Sequence, residues 1–218
     1  MSVRFPPLND NGNPKQYVSS IVTLTSYDKK DISKQFCKAL NGYCIRAIDF
    51  DTVKLDWCEC RNSFADYGKK QKCKSVDAFV DHNGTYYFIE FKYSFAEKLD
   101  LIDDDGDNID SLLRKKAIDS LSLVGMTILQ GVSGKNVMDN AELIVVYRPS
   151  FNDNVDSMTP GIKKASDKLH SFAKAKDSTY SNLDVKWKLA DLKKRGFFRD
   201  VHTWNEDVFV EWAKRNLV

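Results

Sequence analysis

Apolar and polar residues alternate on both sides of an Asn83-Gly84 pair over residues 75–93. Alternation with a period of two is typical of β-strands, because successive side chains point to opposite faces. Asn-Gly between two such runs favours a two-residue type I′ turn, since both central residues of that turn need positive φ. The pattern therefore predicts a β-hairpin, and counting outward from the turn places Asp77 directly opposite Glu90.

A helix and a further strand are predicted downstream of this hairpin. Apolar residues recur at helical spacing over about 111–130, and the second half of that segment is apolar nearly all round, as in a buried helix. Residues 142–147 form an apolar, β-branched run that Pro149 ends. A strand, a buried helix and a second strand with no tight turn between them predict a crossover into a parallel strand.

The remaining segments carry weaker signals. Four short segments are predicted as strands and two as helices: strands over about 17–27, 45–50, 185–189 and 197–202, and helices over about 29–40 and 161–176. Residues 53–67 fit neither pattern clearly, and the Pro- and Asn-rich residues 1–16 predict an irregular arm. Thr203 and Glu206 have the spacing of a capping box, which predicts a final helix from Thr203 to about residue 216.

Length and charge place few limits on function. The chain has 218 residues and a formal net charge of +2, which suits one domain but gives no global electrostatic indication of a partner. We expect a single domain over 1–218, with the arm at about 1–16 and C-terminal additions at about 150–218. Residues 161–200 carry eleven Lys and Arg against five Asp. This excess permits a nucleic-acid contact, but a solvated helix face is its commoner meaning.

Cysteine content and hydropathy favour a protein of the reducing cytoplasm. The chain has five Cys, an odd number, no apolar run at its start that resembles a signal peptide, and no stretch of the roughly 20 apolar residues that a membrane helix needs. We expect no membrane partner. Cys58, Cys60 and Cys73 lack the paired spacing of a zinc site. The acidic loop around Gly106 has Leu at two positions where an EF-hand needs oxygen ligands.

The open end of the predicted hairpin gathers charge on one face. Glu90 and Lys92 are two residues apart on the second strand, so their side chains share a face. Asp77 is opposite Glu90 across the hairpin, so its side chain is on that face too. Directly opposed residues have Cβ atoms about 4.5–5.5 Å apart, where like charges destabilise a sheet. Acid against acid at this position therefore predicts either a tolerated cost or a bound cation.

A solvated surface is the alternative meaning of these charges, because exposed strands often carry Asp, Glu and Lys. Against it, the charged face also holds Phe79 and Phe88, and the other face is apolar. That other face is expected to carry Val76, Ala78, Val80, Tyr87, Ile89 and Phe91. A strand that is apolar on both faces is central in a sheet, which favours a functional site over a solvated surface.

Residues 75–147 follow a recognisable order: Asp77, a hairpin, Glu90-Phe91-Lys92, a buried crossover helix and an apolar strand. This order resembles that of the PD-(D/E)XK nuclease superfamily. Val76 stands at the position of the family's Pro. The resemblance implies an α/β protein with a restriction-endonuclease-like core, in which a central mixed β-sheet is flanked by helices. It implies an enzyme, a nuclease dependent on Mg²⁺ or Mn²⁺ that hydrolyses phosphodiester bonds of DNA or RNA, and DNA is the partner we expect first. It also allows a homodimer.

The resemblance assigns roles to the site residues. Asp77, Glu90 and Lys92 are the expected catalytic residues. Asp77, Glu90 and the backbone carbonyl of Phe91 are expected to bind the metal, since Mg²⁺ prefers oxygen ligands. Lys92 is expected to hold or polarise the attacking water and to stabilise developing negative charge.

Helper residues are expected from the helices around the hairpin. The superfamily often places an acid on the helix before it, for which Glu59 is the nominee and Asp31 the rival. On the crossover helix, Lys116 and Ser120 are candidates to face the cleft. A plain surface role is the alternative for each of these residues.

Basic residues near the C-terminus are candidates for contacts with a phosphate backbone: Lys193, Lys194, Arg195 and Arg199. Phe197, Phe198 and Trp204 lie among or near them and could stack on bases, although packing in the core is the commoner role of such aromatics.

Two other functions stay open. One is a catalytically inactive nuclease-fold protein that serves as a nucleic-acid-binding or protein-interaction module. The other is a structural or partner-regulating subunit, because a net charge of +2 is low for a dedicated nucleic-acid binder.

Overall fold

A computed structural model describes residues 17–25, 37–60, 73–92, 109–147 and 188–218, with the backbone alone for residues 58–60. Several predictions lie outside these residues: the arm at 1–16, the part of the predicted helix at 29–36 with Asp31, residues 61–67, the acidic loop up to residue 108, the predicted helix at 161–176, and the part of the predicted strand at 185–187.

The described strands form one mixed sheet of six, ordered as they occur along the chain. They are β1 (Val18–Ser20), β2 (Arg46–Asp49), β3 (Ala78–His82), β4 (Thr85–Lys92), β5 (Ala141–Tyr147) and β6 (Asp200–Asn205). The pairs β1–β2, β2–β3 and β3–β4 are antiparallel, whereas the pairs β4–β5 and β5–β6 are parallel. The predicted crossover from β4 into a parallel β5 is therefore confirmed.

Helices lie on both faces of the sheet. They are α1 (Ile21–Leu24), a 3₁₀ helix (Lys38–Leu40), α2 (Phe50–Cys60), α3 (Ile109–Met126), α4 (Gly134–Asn140), α5 (Ala190–Lys194) and α6 (Glu206–Asn216). One core lies between the sheet and α2 to α5, and a second between the sheet and α1, the 3₁₀ helix and α6. This confirms an α/β protein with a mixed sheet flanked by helices. None of the helices described is long and apolar enough to cross a bilayer.

The hairpin forms with the predicted register. Asn83 and Gly84 have φ values of 53° and 76°, the positive values that a type I′ turn needs. Ala78 pairs with Ile89, so the next opposed positions outward are Asp77 and Glu90. Asp77 itself lies in a bend just before β3.

Val76 lies on the side of the sheet opposite to the predicted one. Strand alternation predicts it on the face of Ala78, but Val76 packs in the same core as Phe79. The regular pleat begins only at Ala78, so alternation does not extend back through the bend at Asp77.

The strand predicted over 17–27 is wrong over residues 21–25, and residues 26–27 lie outside the part of the chain that the structure describes. The Ser20 side chain accepts a hydrogen bond from Val22 N at 3.3 Å and caps α1. Ile21 and Val22 are buried in the second core. A helical turn buries both β-branched side chains, so their preference for strands does not decide the local structure.

The predicted N-cap at Thr203 is also wrong. Strand β6 continues through Thr203, and α6 begins at Glu206 with Asn205 as its N-cap. Asn205 Oδ1 accepts a hydrogen bond from Val208 N at 2.9 Å. Thr203 pairs with Val145 in the sheet instead.

Other boundaries shift. The last strand lies at 200–205 and not at 197–202, and residues 188–189 form a turn where a strand is predicted. Helix α3 ends at Met126, four residues before its predicted end, and the separate helix α4 follows it. The ambiguous segment from residue 53 is helical up to Cys60.

Candidate active site

Four charged side chains meet where β4 ends, on the face of the sheet that α2 and α3 cover. Glu90 and Lys92 extend from β4 on the same face as Phe88. Asp77 comes from the bend before β3, and Lys116 comes from α3. We call Asp77, Glu90, Lys92 and Lys116 the carboxylate–lysine cluster.

Glu90 is the buried centre of this cluster, with a side chain only 1% exposed. Its Oε1 lies 2.7 Å from Lys92 Nζ, and Lys116 Nζ donates to Oε1 and Oε2 at 2.8 and 2.9 Å. Burial alone would raise the pKa of Glu90, but the charges and hydrogen bonds of Lys116 and Lys92 outweigh it and hold that pKa below its ordinary value. Glu90 is therefore ionised.

Asp77 is less buried and less well compensated. Its Oδ2 accepts a hydrogen bond from Phe91 N at 2.7 Å, and its Oδ1 lies 3.8 Å from Lys116 Nζ. Its side chain is 23% exposed. Burial and then the negative charge of Glu90 raise the pKa of Asp77 to about 7, despite the opposing effect of Lys116. The acid-against-acid cost predicted from the register is thus present.

Lys116 lies between the two carboxylates. Burial would lower the pKa of its ammonium, but the charges of Glu90 and Asp77 raise that pKa above its ordinary value. Its side chain is 17% exposed. The cluster therefore contains two lysines and two acids, and the ammonium of Lys116 contacts the acid that is ionised.

Hydrogen bonds from α2 and α3 hold the segment that leads to Asp77. Val76 N donates to Ser120 Oγ at 2.9 Å, and Lys74 N donates to Asp119 Oδ2 at 2.9 Å. Ser120 is fully buried, and the hydrogen bond that it accepts from Val76 N fixes the backbone beside Asp77.

Asp51 is an acid near the cluster that the sequence analysis missed. It lies in the first turn of α2, accepts a hydrogen bond from Ser75 Oγ at 2.6 Å, and pairs with Lys54 at 2.7 Å. Burial raises the pKa of Asp51, but hydrogen bonds from Lys54 and Ser75 and the charges of Lys54 and Lys116 lower it overall. Asp51 is thus close enough to act on Lys116.

The nominated Glu59 lies in the last turn of α2, eight residues after Asp51. At a rise of about 1.5 Å per residue this is roughly 12 Å along the helix axis. The start of α2 at Phe50 would have indicated Asp51, but the sequence pattern predicts a strand over about 45–50 and assigns no element to residues 53–67, so it does not locate this helix start.

The two carboxylates of the cluster suit one hard divalent ion. Such ions commonly bind one or two carboxylates and take waters and substrate phosphate as their other ligands. Asp77 and Glu90 supply oxygen donors, and the repulsion between them would be relieved by a cation. The hydrogen bond from Phe91 N to Asp77 keeps that peptide beside the cluster. Within the described part of the chain, no group of three or more His, Cys, Asp or Glu is arranged to hold a metal.

No family model matches this chain, and no curated protein or solved structure shows significant similarity to it. Its function must therefore be inferred from the chemistry of its own residues.

The basic residues near the C-terminus do not join the cluster. Lys193 pairs with Asp200 at 2.9 Å, and Arg199 pairs with Glu142. Lys194 and Arg195 are exposed and form no ion pair among the described residues.

The aromatic residues of this region mostly pack inside the protein. Phe198 is buried and packs edge-to-face on Phe88, with ring centroids 5.5 Å apart. Phe197 packs against the same core. Trp204 stacks on His202 and lies against the second core, on the opposite face of the sheet from the carboxylate–lysine cluster.

Proposed function

We propose that this protein is a metal-dependent nuclease with a restriction-endonuclease-like core, and that its substrate is DNA or RNA. The observation that carries the proposal is the convergence of Asp77, Glu90 and Lys92 at the end of one hairpin in a mixed sheet. Glu90 and Lys92 extend from the central strand β4 and Asp77 from the bend before β3, and solvent partly reaches Asp77 and Lys92. This arrangement matches the needs of phosphodiester hydrolysis better than those of a sheet core.

The two acids would hold the metal in different ways. A Mg²⁺ or Mn²⁺ ion bound between them would polarise the phosphate and lower the pKa of a bound water. Glu90 is buried and paired with Lys92, and it would anchor the ion from within the protein. Asp77 is the more exposed acid and would be the carboxylate within reach of solvent and substrate.

Lys92 has the geometry of a group that orients water and stabilises charge. Its Nζ is 2.7 Å from Glu90 Oε1, and its side chain is 19% exposed. An ammonium has three N–H donors, so a water or phosphate oxygen can accept from Lys92 while its bond to Glu90 stays in place. Negative charge that develops on the phosphate would be stabilised there.

One observation favours a second candidate function, a nuclease-fold module that binds nucleic acid or protein without turnover. The ammonium of Lys116 already compensates the charge of Glu90 and part of that of Asp77. A buried ion-pair network of this kind also occurs for purely structural reasons.

A cleavage assay separates the two functions. We expect the wild-type protein to cut DNA with Mg²⁺ or Mn²⁺ and not with EDTA. Asp77→Ala and Lys92→Ala should each reduce the rate by about 100-fold or more, the usual loss when a positioned charge-stabilising group is removed. Single- and double-stranded DNA and RNA should be compared as substrates.

Asp81→Ala is the matched control, because Asp81 is an exposed acid on the same hairpin and should keep the wild-type rate. Equal activity in Asp77→Ala and Lys92→Ala would assign the cleavage to another site or to a contaminant. No metal binding by calorimetry, together with intact nucleic-acid binding, would favour the module without turnover.

A further inference from the structure

The ammonium of Lys116 contacts both of the carboxylates that a shared ion would bind. Its Nζ lies 2.8 and 2.9 Å from the two carboxylate oxygens of Glu90 and 3.8 Å from Asp77 Oδ1. One positive charge therefore contacts both acids. The ammonium of Lys116 already serves as a cation between the two carboxylates.

Charge balance argues against a second cation beside this one. With Lys92 and Lys116 as ammonium groups and both acids ionised, the four formal charges of the cluster cancel. Adding a divalent ion would leave an excess of two positive charges in a largely buried site, where repulsion between charges is strong. Withdrawal of the Lys116 ammonium would remove half of that excess.

The side chain of Lys116 can withdraw without moving its helix. Helix α3 is fixed one turn further along by the buried hydrogen bond between Ser120 Oγ and Val76 N. Lys116 itself reaches the cluster through a flexible four-carbon stem and is 17% exposed, so solvent lies within its reach.

We propose that Lys116 is a resident cation, which holds the two carboxylates together in the metal-free protein and which a divalent ion must displace in order to bind. This inference rests on the metal dependence in the proposed function. It gives Lys116 two effects of opposite sign: it stabilises the metal-free fold and weakens metal affinity.

The test is Lys116→Met, which keeps the apolar stem and removes the charge. Titration with Mn²⁺ by calorimetry should show an affinity about tenfold or more above wild type, since one hydrogen bond to a charged group is worth about that factor. In EDTA the melting temperature should fall below that of wild type, and saturating Mn²⁺ should raise it by more than it does in wild type.

Two further variants make the result specific to this position. Lys135→Met removes the same charge from an exposed position on α4 and should leave Mn²⁺ affinity unchanged. Should Lys116→Met fail to fold, Lys116→Gln provides a neutral donor for Glu90 and should also raise the affinity.

The possible failures are distinguishable. If neither wild type nor the Lys116 variants bind Mn²⁺, the proposed metal-dependent function is wrong, and this inference with it. If wild type binds Mn²⁺ and the Lys116 variants bind it equally or more weakly, the resident cation is disproved while the nuclease proposal stands.

Discussion

Two neighbouring carboxylates, Asp77 and Glu90, have the same charge but opposite pKa shifts. Glu90 is held by two ammonium groups, which keep it ionised inside the protein. Asp77 has a backbone donor and a lysine at 3.8 Å, which is insufficient to offset burial and the charge of Glu90. Pairs of acids whose surroundings separate their pKa values are typical of sites that bind cations or move protons.

The raised pKa of Asp77 predicts how pH affects the stability of the metal-free protein. An acid whose pKa is about 7 when folded and 3.8 in the reference state binds its proton more tightly in the folded protein. Its contribution is present below about pH 4 and is lost as pH rises through about 7. In EDTA, Asp77→Asn should therefore be more stable than wild type at pH 8, by roughly 1–2 kcal/mol.

Urea denaturation at pH 4, 6 and 8 measures this difference, which should shrink toward zero at the lowest pH. Asp81→Asn, an exposed acid of the same hairpin, serves as the control and should show no such trend. A stability gain for Asp77→Asn that is equal at every pH would contradict the prediction.

The core of the candidate site could be predicted because its spacing is local. Asp77, Glu90 and Lys92 lie within 16 residues, and a single turn type fixes their register. Lys116 could be named only as a candidate to face the cleft, since its contact with Glu90 depends on how α3 packs over the sheet. Asp51 depends on tertiary packing as well, because Ser75, its partner, is 24 residues away.

At the scale of elements, the start of α6 shows how sheet pairing can outweigh a local motif. Thr203 and Glu206 have capping-box spacing, but pairing with β5 keeps residues 200–205 extended. The cap then falls on Asn205, the last residue of the strand, whose side chain is a suitable acceptor. The same competition explains α1, where Ser20 ends a strand and caps a helix.

Substitutions at Thr203 and Asn205 should have opposite effects on stability. Asn205→Ala removes the acceptor for Val208 N and should cost about 1 kcal/mol. Thr203→Val should be neutral or stabilising, because the buried Thr203 Oγ1 has no hydrogen-bond partner within the described residues. Urea unfolding followed by far-ultraviolet circular dichroism measures both changes. If Thr203→Val were the more destabilising of the two substitutions, Thr203 and not Asn205 would be the N-cap.

At the scale of the whole molecule, the fold class could be predicted from one strand–helix–strand unit. Strands β4 and β5 are buried and joined by a long helix, and these features are visible in the sequence as apolar runs of different period. The place of β6 beside β5 could not be predicted. Its contacts join residues about 60 positions apart, such as Glu142 and Asp200, and no local sequence pattern specifies a partner that distant.

The distribution of paired and unpaired cations predicts which basic residues contact nucleic acid. Lys193 and Arg199 are neutralised by Asp200 and Glu142, so they have little charge left for phosphate. Lys194 and Arg195, exposed and without an ion pair among the described residues, are the better contacts.

Lys194→Ala combined with Arg195→Ala should weaken DNA binding and reduce the slope of log affinity against log salt by about 1.4–1.8, at roughly 0.7–0.9 per lost phosphate contact. Fluorescence anisotropy at several salt concentrations, in Ca²⁺ or EDTA to prevent cleavage, measures both quantities.

Lys193→Met with Asp200→Asn removes a matched ion pair and should leave the slope unchanged. A slope that falls equally in both double variants would mean that the ion pairs open on binding. An unchanged slope in the first would place the nucleic-acid contact elsewhere on the protein.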